Sequence, residues 1–380
     1  MIMSIAHIET PALILDRGIL DRNLSHISNR ASELGVTLRP HLKTVKSAVV
    51  AERALGGQHG GITVSTLKEA EYFLNKGFRD ITYAVGIEAS KLPHVQALQE
   101  KGANITLILD HPITAQIVIE EAAALGASFS VLIEIDSGSH RGGFLPDNPE
   151  FLKTASCLHQ APHISFKGVL THAGCAYLAG SVEEIADIAE DERAAVVRAA
   201  TRLEEAGIPC PVRSVGSTPT AMFARDLTGV TEIRPGVYML MDLYQAGLGV
   251  CQPQDIAVSV LATVIGRRDD LGYALIDAGA LALSQDVSAA RTFDSDTIYG
   301  QIRDRQGKRV YDGLRLDTVH QEHGWLRASQ GGSLPAALVP GTRVRIYPNH
   351  ACMMAAPYDC YHVVDGGDEI IEAWEKTTGW

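Results

Sequence analysis

Apolar runs of strand length alternate with helical patterns through the first two thirds of the chain. The predicted strands are 37–39, 61–64, 80–84, 105–109, 129–135, 166–171, 212–215 and 230–233. Several of them, such as 105–109, are almost continuously apolar, which is typical of a strand buried on both faces. Segments with apolar residues at helical spacing, such as Val182–Glu205, separate the strands. This alternation of eight strands with helices predicts a (β/α)8 TIM barrel.

The pattern changes near residue 255, after which helical periodicity is rare. Short β-type runs, punctuated by glycine and proline, occur at 257–265, 273–277, 343–347, 361–364 and 369–374. They predict a separate, mostly antiparallel β domain. The early apolar run 11–16 precedes the first barrel strand, so we assign it to the β domain or to the junction. The predicted limits are 16–245 for the barrel and 246–380, with 1–15, for the β domain.

The composition and net charge of the chain argue against some classes of binding partner. The chain has 380 residues, is 46% hydrophobic and 21% charged, and carries a formal net charge of -12. This acidic balance argues against general nucleic-acid binding and against an anionic membrane surface. It leaves a small anionic substrate open, because the local field in a cleft can oppose the global charge. We expect no membrane span and no signal peptide, and the six scattered cysteines fit a reducing cytoplasm.

A lysine follows the first predicted strand, and chemistry in such barrels lies at the carboxyl ends of the strands. Lys43 belongs to the stretch Arg-Pro-His-Leu-Lys-Thr-Val-Lys that begins at Arg39. A lysine that points into a cleft can act as an amine nucleophile toward a carbonyl cofactor. The alternative is an ordinary solvated lysine, and Lys46 is the local rival.

Further polar residues follow later strands on the same rim. The turn Gly216-Ser217-Thr218 comes after the seventh predicted strand, where barrels often bind phosphate through backbone amides and hydroxyls. Its alternative is an ordinary helix cap. The candidates for contacts with a planar cofactor are Arg141, His172, Tyr177 and Tyr238. An arginine would keep a ring nitrogen unprotonated, although it could instead bridge loop carboxylates, and the histidine and tyrosines could serve packing alone.

A His-x-Cys pair at His350 and Cys352 is the candidate metal site. In an extended segment, residues two apart project to the same side. Imidazole and thiolate suit zinc and other late first-row divalent ions. The alternative is a chance pair, since a free cysteine is usually a small buried hydrophobe. His323 in Glu322-His323-Gly324 is a second candidate in the same domain, for contact with the metal or the substrate.

Together these motifs resemble those of the metal-activated fold-type III pyridoxal-phosphate enzymes. This family includes eukaryotic-type D-serine dehydratase, D-threonine aldolase and D-threo-3-hydroxyaspartate dehydratase, and the last shows the strongest likeness. The resemblance spans essentially the whole chain and is carried by residues 39–44, 61–70, 171–174, 215–220, 322–324 and 349–352. Val45 departs from the commonest pattern, since many relatives have histidine there.

The resemblance implies an alanine-racemase-type barrel with a β domain, assembled as a homodimer. It implies pyridoxal 5'-phosphate as cofactor and one divalent metal ion, which could be zinc, manganese, cobalt or magnesium. Lys43 would carry the cofactor and act in catalysis with His323. The implied cofactor contacts are Arg141, His172, Tyr177, Gly216, Ser217, Thr218 and Tyr238, and the implied metal ligands are His350 and Cys352.

The implied activity is that of a carbon–nitrogen lyase. It would dehydrate D-threo-3-hydroxyaspartate or D-serine to a 2-oxo acid and ammonia. Cys352 favours this reaction, because D-threonine aldolases typically have His-x-Asp at the metal pair. The alternatives are aldol cleavage to glycine and an aldehyde, a metal-free racemase, and a non-catalytic cofactor-binding protein. The sequence leaves the metal, the substituent at Cβ and the oligomeric state open.

Overall fold

A computed structural model of the chain describes residues 3–57, 60–294, 297–329 and 332–380. The chain divides into two compact units. The barrel unit comprises His26–Lys43, Ala51–Gly236 and Trp380. The β unit comprises Met1–Ser25, Thr44–Val50 and Val237–Gly379. The domain limits drawn from the sequence, 16–245 and 246–380, stay a prediction.

The barrel unit is built on eight parallel strands, and the predicted barrel is confirmed. Its strands are Thr37–Leu38, Ile62–Val64, Asp80–Gly86, Asn104–Leu109, Phe129–Glu134, Ile164–Leu170, Val212–Val215 and Glu232–Ile233. Consecutive strands pair from the second to the eighth, and the eighth also pairs with the first. A parallel bridge between His41 and Thr63 joins the first strand's extension to the second strand.

Helices follow the barrel strands in the order expected for this fold. They are Ala48–Ala54, Leu67–Asn75, Leu92–Glu100, Pro112–Leu125, Pro149–Gln160, Val182–Glu205 and Thr218–Phe223, and Arg17–Glu33 precedes the first strand. Local sequence explains where several begin. The hydroxyls of Thr66 and Ser181, for example, accept backbone N–H bonds from the first turns that follow them. None of the helices in the described residues is long and apolar enough to cross a membrane.

Charged residues form a network inside the barrel unit. The Arg39 guanidinium donates to both Asp80 carboxylate oxygens at 3.0 Å and to Glu232 at 2.7 Å. Ser214 donates to the other Glu232 oxygen at 2.6 Å and accepts from Arg234. Glu232 and Arg234 are both buried, and the attraction between their opposite charges, which Ser214 links, offsets part of the desolvation penalty. The network joins the amino-terminal part of the barrel to the wall of the cavity described below.

The β unit contains a nine-stranded, mostly antiparallel sheet, as predicted. Its strands are Ala12–Asp16, Val258–Arg268, Tyr273–Ile276, Gln301–Asp304, Leu314–Val319, Gly324–Ala328, Arg343–Tyr347, Cys360–Val364 and Glu372–Glu375; Met3–Ser4 pairs separately with Glu369–Ile370. Ala12–Asp16, in the early apolar run, lies between Val258–Arg268 and Cys360–Val364 in this sheet. Short helices occupy Leu243–Gly247, Ala280–Leu283, Ala289–Thr292 and Ala351–Ala355.

Candidate active site

A cavity of about 410 Å³ opens at the carboxyl ends of the barrel strands. Its lining residues are His41, Lys43, Ser65, Ala84, Val85, Gly86, Ile108, Asp110, Glu134, Arg141, Gly142, Leu170, His172, Gly216 and Arg234. Four of them, Lys43, Arg141, His172 and Gly216, were predicted as site residues. The structure therefore brings together residues that are distant in sequence, at the rim where barrel enzymes place their chemistry. The volume lies within the ordinary range of small-molecule sites.

His172 is held as a neutral ring with a defined tautomer. Its Nδ1 lies 2.7 Å from the carbonyl oxygen of Gly216. A carbonyl oxygen only accepts, so Nδ1 carries the proton and Nε2 is left as an acceptor. Burial lowers the pKa of His172 to about 3, and neighbouring cations add to that effect. The ring is therefore uncharged at neutral pH and can pack against a planar ligand.

His41 offers a buried polar atom to the cavity. Its side chain is half-buried, and its inaccessible Nδ1 has no hydrogen-bond partner among the residues that the structure describes. Burial, followed by the charge of Lys43, lowers the pKa of His41. An unpaired buried polar atom is costly in a folded protein. Its presence on the cavity wall fits a site that is completed by a polar ligand.

The cavity wall carries more positive than negative charge. Lys43, Arg141 and Arg234 supply cations, and Asp110 and Glu134 supply carboxylates. Arg141 is largely exposed and lies 3.4 Å from Glu134, a weak pair, so its guanidinium can turn toward a ligand. Arg234, by contrast, is fixed within the barrel network. This excess of cations fits an anionic cofactor such as a phosphate ester.

The turn at Gly216, which the sequence predicts as a phosphate site, is positioned by a buried carboxylate that sequence analysis did not single out. Glu192 is 1% exposed, and its Oε1 accepts from the backbone N–H of Gly216 at 3.0 Å and of Ala173 at 2.9 Å. It thus ties together the two strand-end loops that carry Gly216 and His172. Gly216 has φ of +134°, and a Cβ there would lie 2.6 Å from the Arg234 backbone nitrogen, so only glycine fits.

Replacing Glu192 by alanine should destabilise the fold by about 2–4 kcal/mol, because two buried N–H groups lose their acceptor. Glu192→Gln keeps a carbonyl oxygen at the same place and should cost much less. Urea unfolding of both variants measures the difference. Burial raises the pKa of Glu192 above its ordinary 4.5, so folding favours the protonated acid. The stability of the wild type relative to Glu192→Gln should therefore fall as the pH rises above that value.

The other predicted cofactor residues do not line the cavity. Ser217 and Thr220 cap the helix Thr218–Phe223 through reciprocal hydrogen bonds, as in the ordinary cap considered above. Tyr177 lies beside His172, with ring centroids 6.3 Å apart and the planes tilted by 43°. Tyr238 is buried in the β unit. The predicted cofactor contacts of Ser217, Thr218, Tyr177 and Tyr238 stay predictions.

The predicted metal pair lies in the β unit, but the reasoning about its backbone was wrong. His350 is extended, whereas Cys352 lies in the first turn of the helix Ala351–Ala355. Although burial lowers it, hydrogen bonds from the His350 ring to Asp286 and Cys352 raise the pKa of His350 to about 11. The two candidate ligands are thus neighbours. Thr44 Oγ1, in the same unit, lies 3.1 Å from Cys352 Sγ.

Two carboxylates that sequence analysis missed support this pair. Asp286 Oδ2 lies 3.1 Å from His350 Nδ1, so it orients the ring and leaves Nε2 for a metal. Asp242 is buried and accepts the backbone N–H of Ala351 at 2.9 Å, between the two candidate ligands. Burial raises the pKa of Asp242 to about 6. Neither carboxylate has a sequence spacing that points to the pair.

The structure does not add a third protein ligand to His350 and Cys352. Within residues 3–57, 60–294, 297–329 and 332–380, no group of three or more His, Cys, Asp or Glu side chains is arranged to hold a metal. His323 lies exposed at the turn before strand Gly324–Ala328 and is not grouped with the pair. Its predicted catalytic role stays a prediction. Two ligands with open positions still suit a metal that binds water and substrate.

An Asp286→Asn variant should bind the metal about 10- to 100-fold more weakly, because the His350 ring loses its carboxylate partner. Competition with a coloured chelator measures the affinity directly. Asp270→Asn is the matched control, since Asp270 pairs with exposed Arg268 in the same unit. Equal metal affinity in the Asp286 and Asp270 variants would contradict a positioning role for Asp286.

Comparison with known proteins places this architecture in a family. Residues 15–243 match the family model "Alanine racemase, N-terminal domain". Residues 257–364 match "Putative serine dehydratase domain". The chain therefore belongs to the alanine racemase N-terminal domain family, here joined to a serine dehydratase-type second domain. The fold class inferred from the sequence is confirmed.

Individual relatives show which enzymes of this family the chain resembles. The chain is 43% identical to D-threo-3-hydroxyaspartate dehydratase of Delftia sp. strain HT23, over 98% of each chain. It is 28% identical to D-serine dehydratase of Dictyostelium discoideum, over 99% of this chain and 98% of the relative. A solved cysteine-to-alanine mutant of D-threo-3-hydroxyaspartate dehydratase, in the metal-free form, superposes with a TM-score of 0.94 at 42% identity and covers all of both chains. The family resemblance drawn from the motifs is confirmed at the level of these dehydratases.

Proposed function

We propose that this chain is a dehydratase of D-3-hydroxy amino acids that uses pyridoxal 5'-phosphate and a divalent metal ion. D-threo-3-hydroxyaspartate or D-serine would lose water, and hydrolysis of the resulting enamine would take up one water and give a 2-oxo acid and ammonia. The observation that carries the proposal is the convergence of Lys43, His172, Arg141 and Gly216 on one cavity. The dehydratase names of the relatives and the His-x-Cys pair support the reaction type.

The cavity fits the cofactor in size, charge and unpaired polar atoms. Lys43 would hold it covalently through Nζ, and Gly216, Ser217 and Thr218 would lie at its phosphate. Arg141, His172, Tyr177 and Tyr238 would contact the remainder. His350 and Cys352 would hold the metal, which could be zinc, manganese, cobalt or magnesium. When bound, the cofactor supplies an electron sink for Cα of the amino acid and the metal supplies a Lewis acid for its β-hydroxyl.

The chain's own residues supply proton transfer and orientation. Once its amine is released by substrate, Lys43 can take the Cα proton as general base. A lysine that lies on one side of the substrate plane can remove the Cα proton from only one configuration. We assign the D configuration to the substrate. The neutral His172 ring, fixed by its hydrogen bond to Gly216, orients the planar group without adding charge. We propose that the active enzyme is a homodimer and that it is located in the cytoplasm.

Product analysis tests the proposal. The purified protein, with cofactor and Mn²⁺ or Zn²⁺, is incubated with D-serine, D-threonine and D-threo-3-hydroxyaspartate. A dehydratase releases a 2-oxo acid and ammonia in equal amounts, and chelation stops the reaction. Release of glycine and an aldehyde would instead establish aldol cleavage, and interconversion of D- and L-alanine in the presence of chelator would establish a racemase. Either of these outcomes would contradict the proposed function.

A further inference from the structure

A second cavity adjoins the first within the barrel unit. It has a volume of about 480 Å³ and shares Ser65 and Val85 with the active-site cavity. Its lining residues are Ser65, Thr66, Leu67, Lys68, Tyr83, Val85, Lys91, His94 and Trp380. We refer to it as the cationic cavity. Because the two cavities have wall residues in common, a ligand at the rim of one is adjacent to the other.

The cationic cavity has positive but no negative side chains on its wall. Lys68, Lys91 and His94 contribute basic groups, and none of the lining side chains is a carboxylate. Glu71 interacts electrostatically with His94, but its carboxylate is already paired with Lys101, whose Nζ lies 2.9 Å from Glu71 Oε1. This positive surface contrasts with the net charge of -12 of the whole chain. A positive local field attracts anions to the entrance of the cationic cavity.

One of the lysines is held in place rather than freely mobile. Lys91 Nζ donates to the Tyr83 hydroxyl at 2.9 Å, and it lies 5.5 Å from the centroid of the Tyr83 ring. Tyr83 is 1% exposed, so this anchor is rigid. An ammonium has three donors, and one bond to Tyr83 leaves others for a ligand. Fixing the cation in advance reduces the entropy lost on binding.

The start of the neighbouring helix Leu67–Asn75 does not explain the positive field. The backbone N–H of Ser65 donates to Glu69 at 2.7 Å, and the backbone N–H of Glu69 donates to the Thr66 hydroxyl at 3.0 Å. These two helix-start donors already have protein partners. The side chains of Lys68, Lys91 and His94 are the basic groups that the cavity wall offers to an anion.

We propose that the cationic cavity is a subsite for the second carboxylate of a dicarboxylic D-3-hydroxy amino acid. This inference rests on the proposed function and narrows it, because D-serine has no group that would use the subsite. Lys68 and Lys91 attract and bind the carboxylate attached to Cβ. The chain accordingly prefers D-threo-3-hydroxyaspartate to D-serine, and the two lysines set that preference.

The test compares substrate selectivity in the holoenzyme. For wild type and a Lys68→Gln/Lys91→Gln variant, kcat/KM is measured with D-threo-3-hydroxyaspartate and with D-serine. The ratio of the two values should fall by about tenfold or more in the variant. Lys153→Gln/Arg198→Gln removes the same charge from other surfaces of the barrel unit, where both side chains are exposed and ion-paired, and should keep the wild-type ratio. The single variants Lys68→Gln and Lys91→Gln should each give a smaller fall, which guards against misfolding of the double variant.

Salt dependence gives an independent readout. Added NaCl should lower kcat/KM for the dicarboxylate more steeply in wild type than in the double variant, because screening weakens the attraction that the lysines supply. If the substrate ratio is unchanged in the double variant while wild type still dehydrates D-serine, the subsite proposal is wrong and the proposed function stands. If wild type forms no 2-oxo acid from either substrate, the proposed function fails as well.

Discussion

A Lys43→Ala variant should lose dehydratase activity by about 10⁴-fold or more, because it lacks both the covalent attachment point and the general base. The absorbance band of the lysine-bound cofactor should disappear at the same time. Spectra and 2-oxo acid assays on the same preparations measure both losses. This is the largest effect we expect from a single substitution.

Lys46→Ala is the control for this experiment. Lys46 is the other lysine of the same motif, and its backbone precedes the helix Ala48–Ala54 with φ of +50°. It does not line the active-site cavity. The Lys46 variant should therefore keep the cofactor band. If the band survives in Lys43→Ala instead, another lysine binds the cofactor and our assignment of the cavity is wrong.

A Cys352→Ala variant should lose its bound metal and about a thousandfold of its dehydration rate, because the β-hydroxyl is left without a Lewis acid. The cofactor band should remain, since Lys43 is intact. Metal content by elemental analysis and turnover of D-serine are the two measurements. Chelation of the wild type should reproduce the loss, and added divalent metal should restore activity to the wild type only.

Cys360→Ala provides the matched comparison. Cys360 lies in a strand of the same unit, is partly buried like Cys352, and has its thiol near a backbone carbonyl. This variant should keep both metal and activity. A Cys352→Ala protein that is fully active without metal would contradict the Lewis-acid role.

The barrel could be predicted from sequence because its signals are local. Each strand buried on both faces is a short apolar run, and each helix shows its apolar stripe, as Val182–Glu205 does with the predicted limits. The β unit was harder. The strands Gln301–Asp304, Leu314–Val319 and Gly324–Ala328 escaped prediction, because they are only partly buried and charged residues interrupt their apolar runs. Their strand conformation depends more on pairing with neighbouring strands than on the β-propensity of their own residues.

The parts of the site missed by prediction depend on contacts between distant residues. Arg234 and Asp286 act through partners that no spacing reveals. Glu192 had a readable signal, because it interrupts the buried apolar stripe of Val182–Glu205 between Ala189 and Val196. A charged residue in such a stripe must have buried partners. Cys352 shows the opposite case: it lies beside His350, but its backbone is helical and not extended as the prediction assumed, and its role as a metal ligand stays a prediction.

Reductive trapping of the cofactor tests the central claim most directly. The holoenzyme is treated with sodium borohydride, digested, and its peptides are mapped by mass spectrometry. We expect a single pyridoxyl group on the peptide that contains Lys43, and its loss when substrate is added before reduction. A pyridoxyl group on any other lysine, or none at all, would contradict the assignment of the barrel cavity as a pyridoxal-phosphate site.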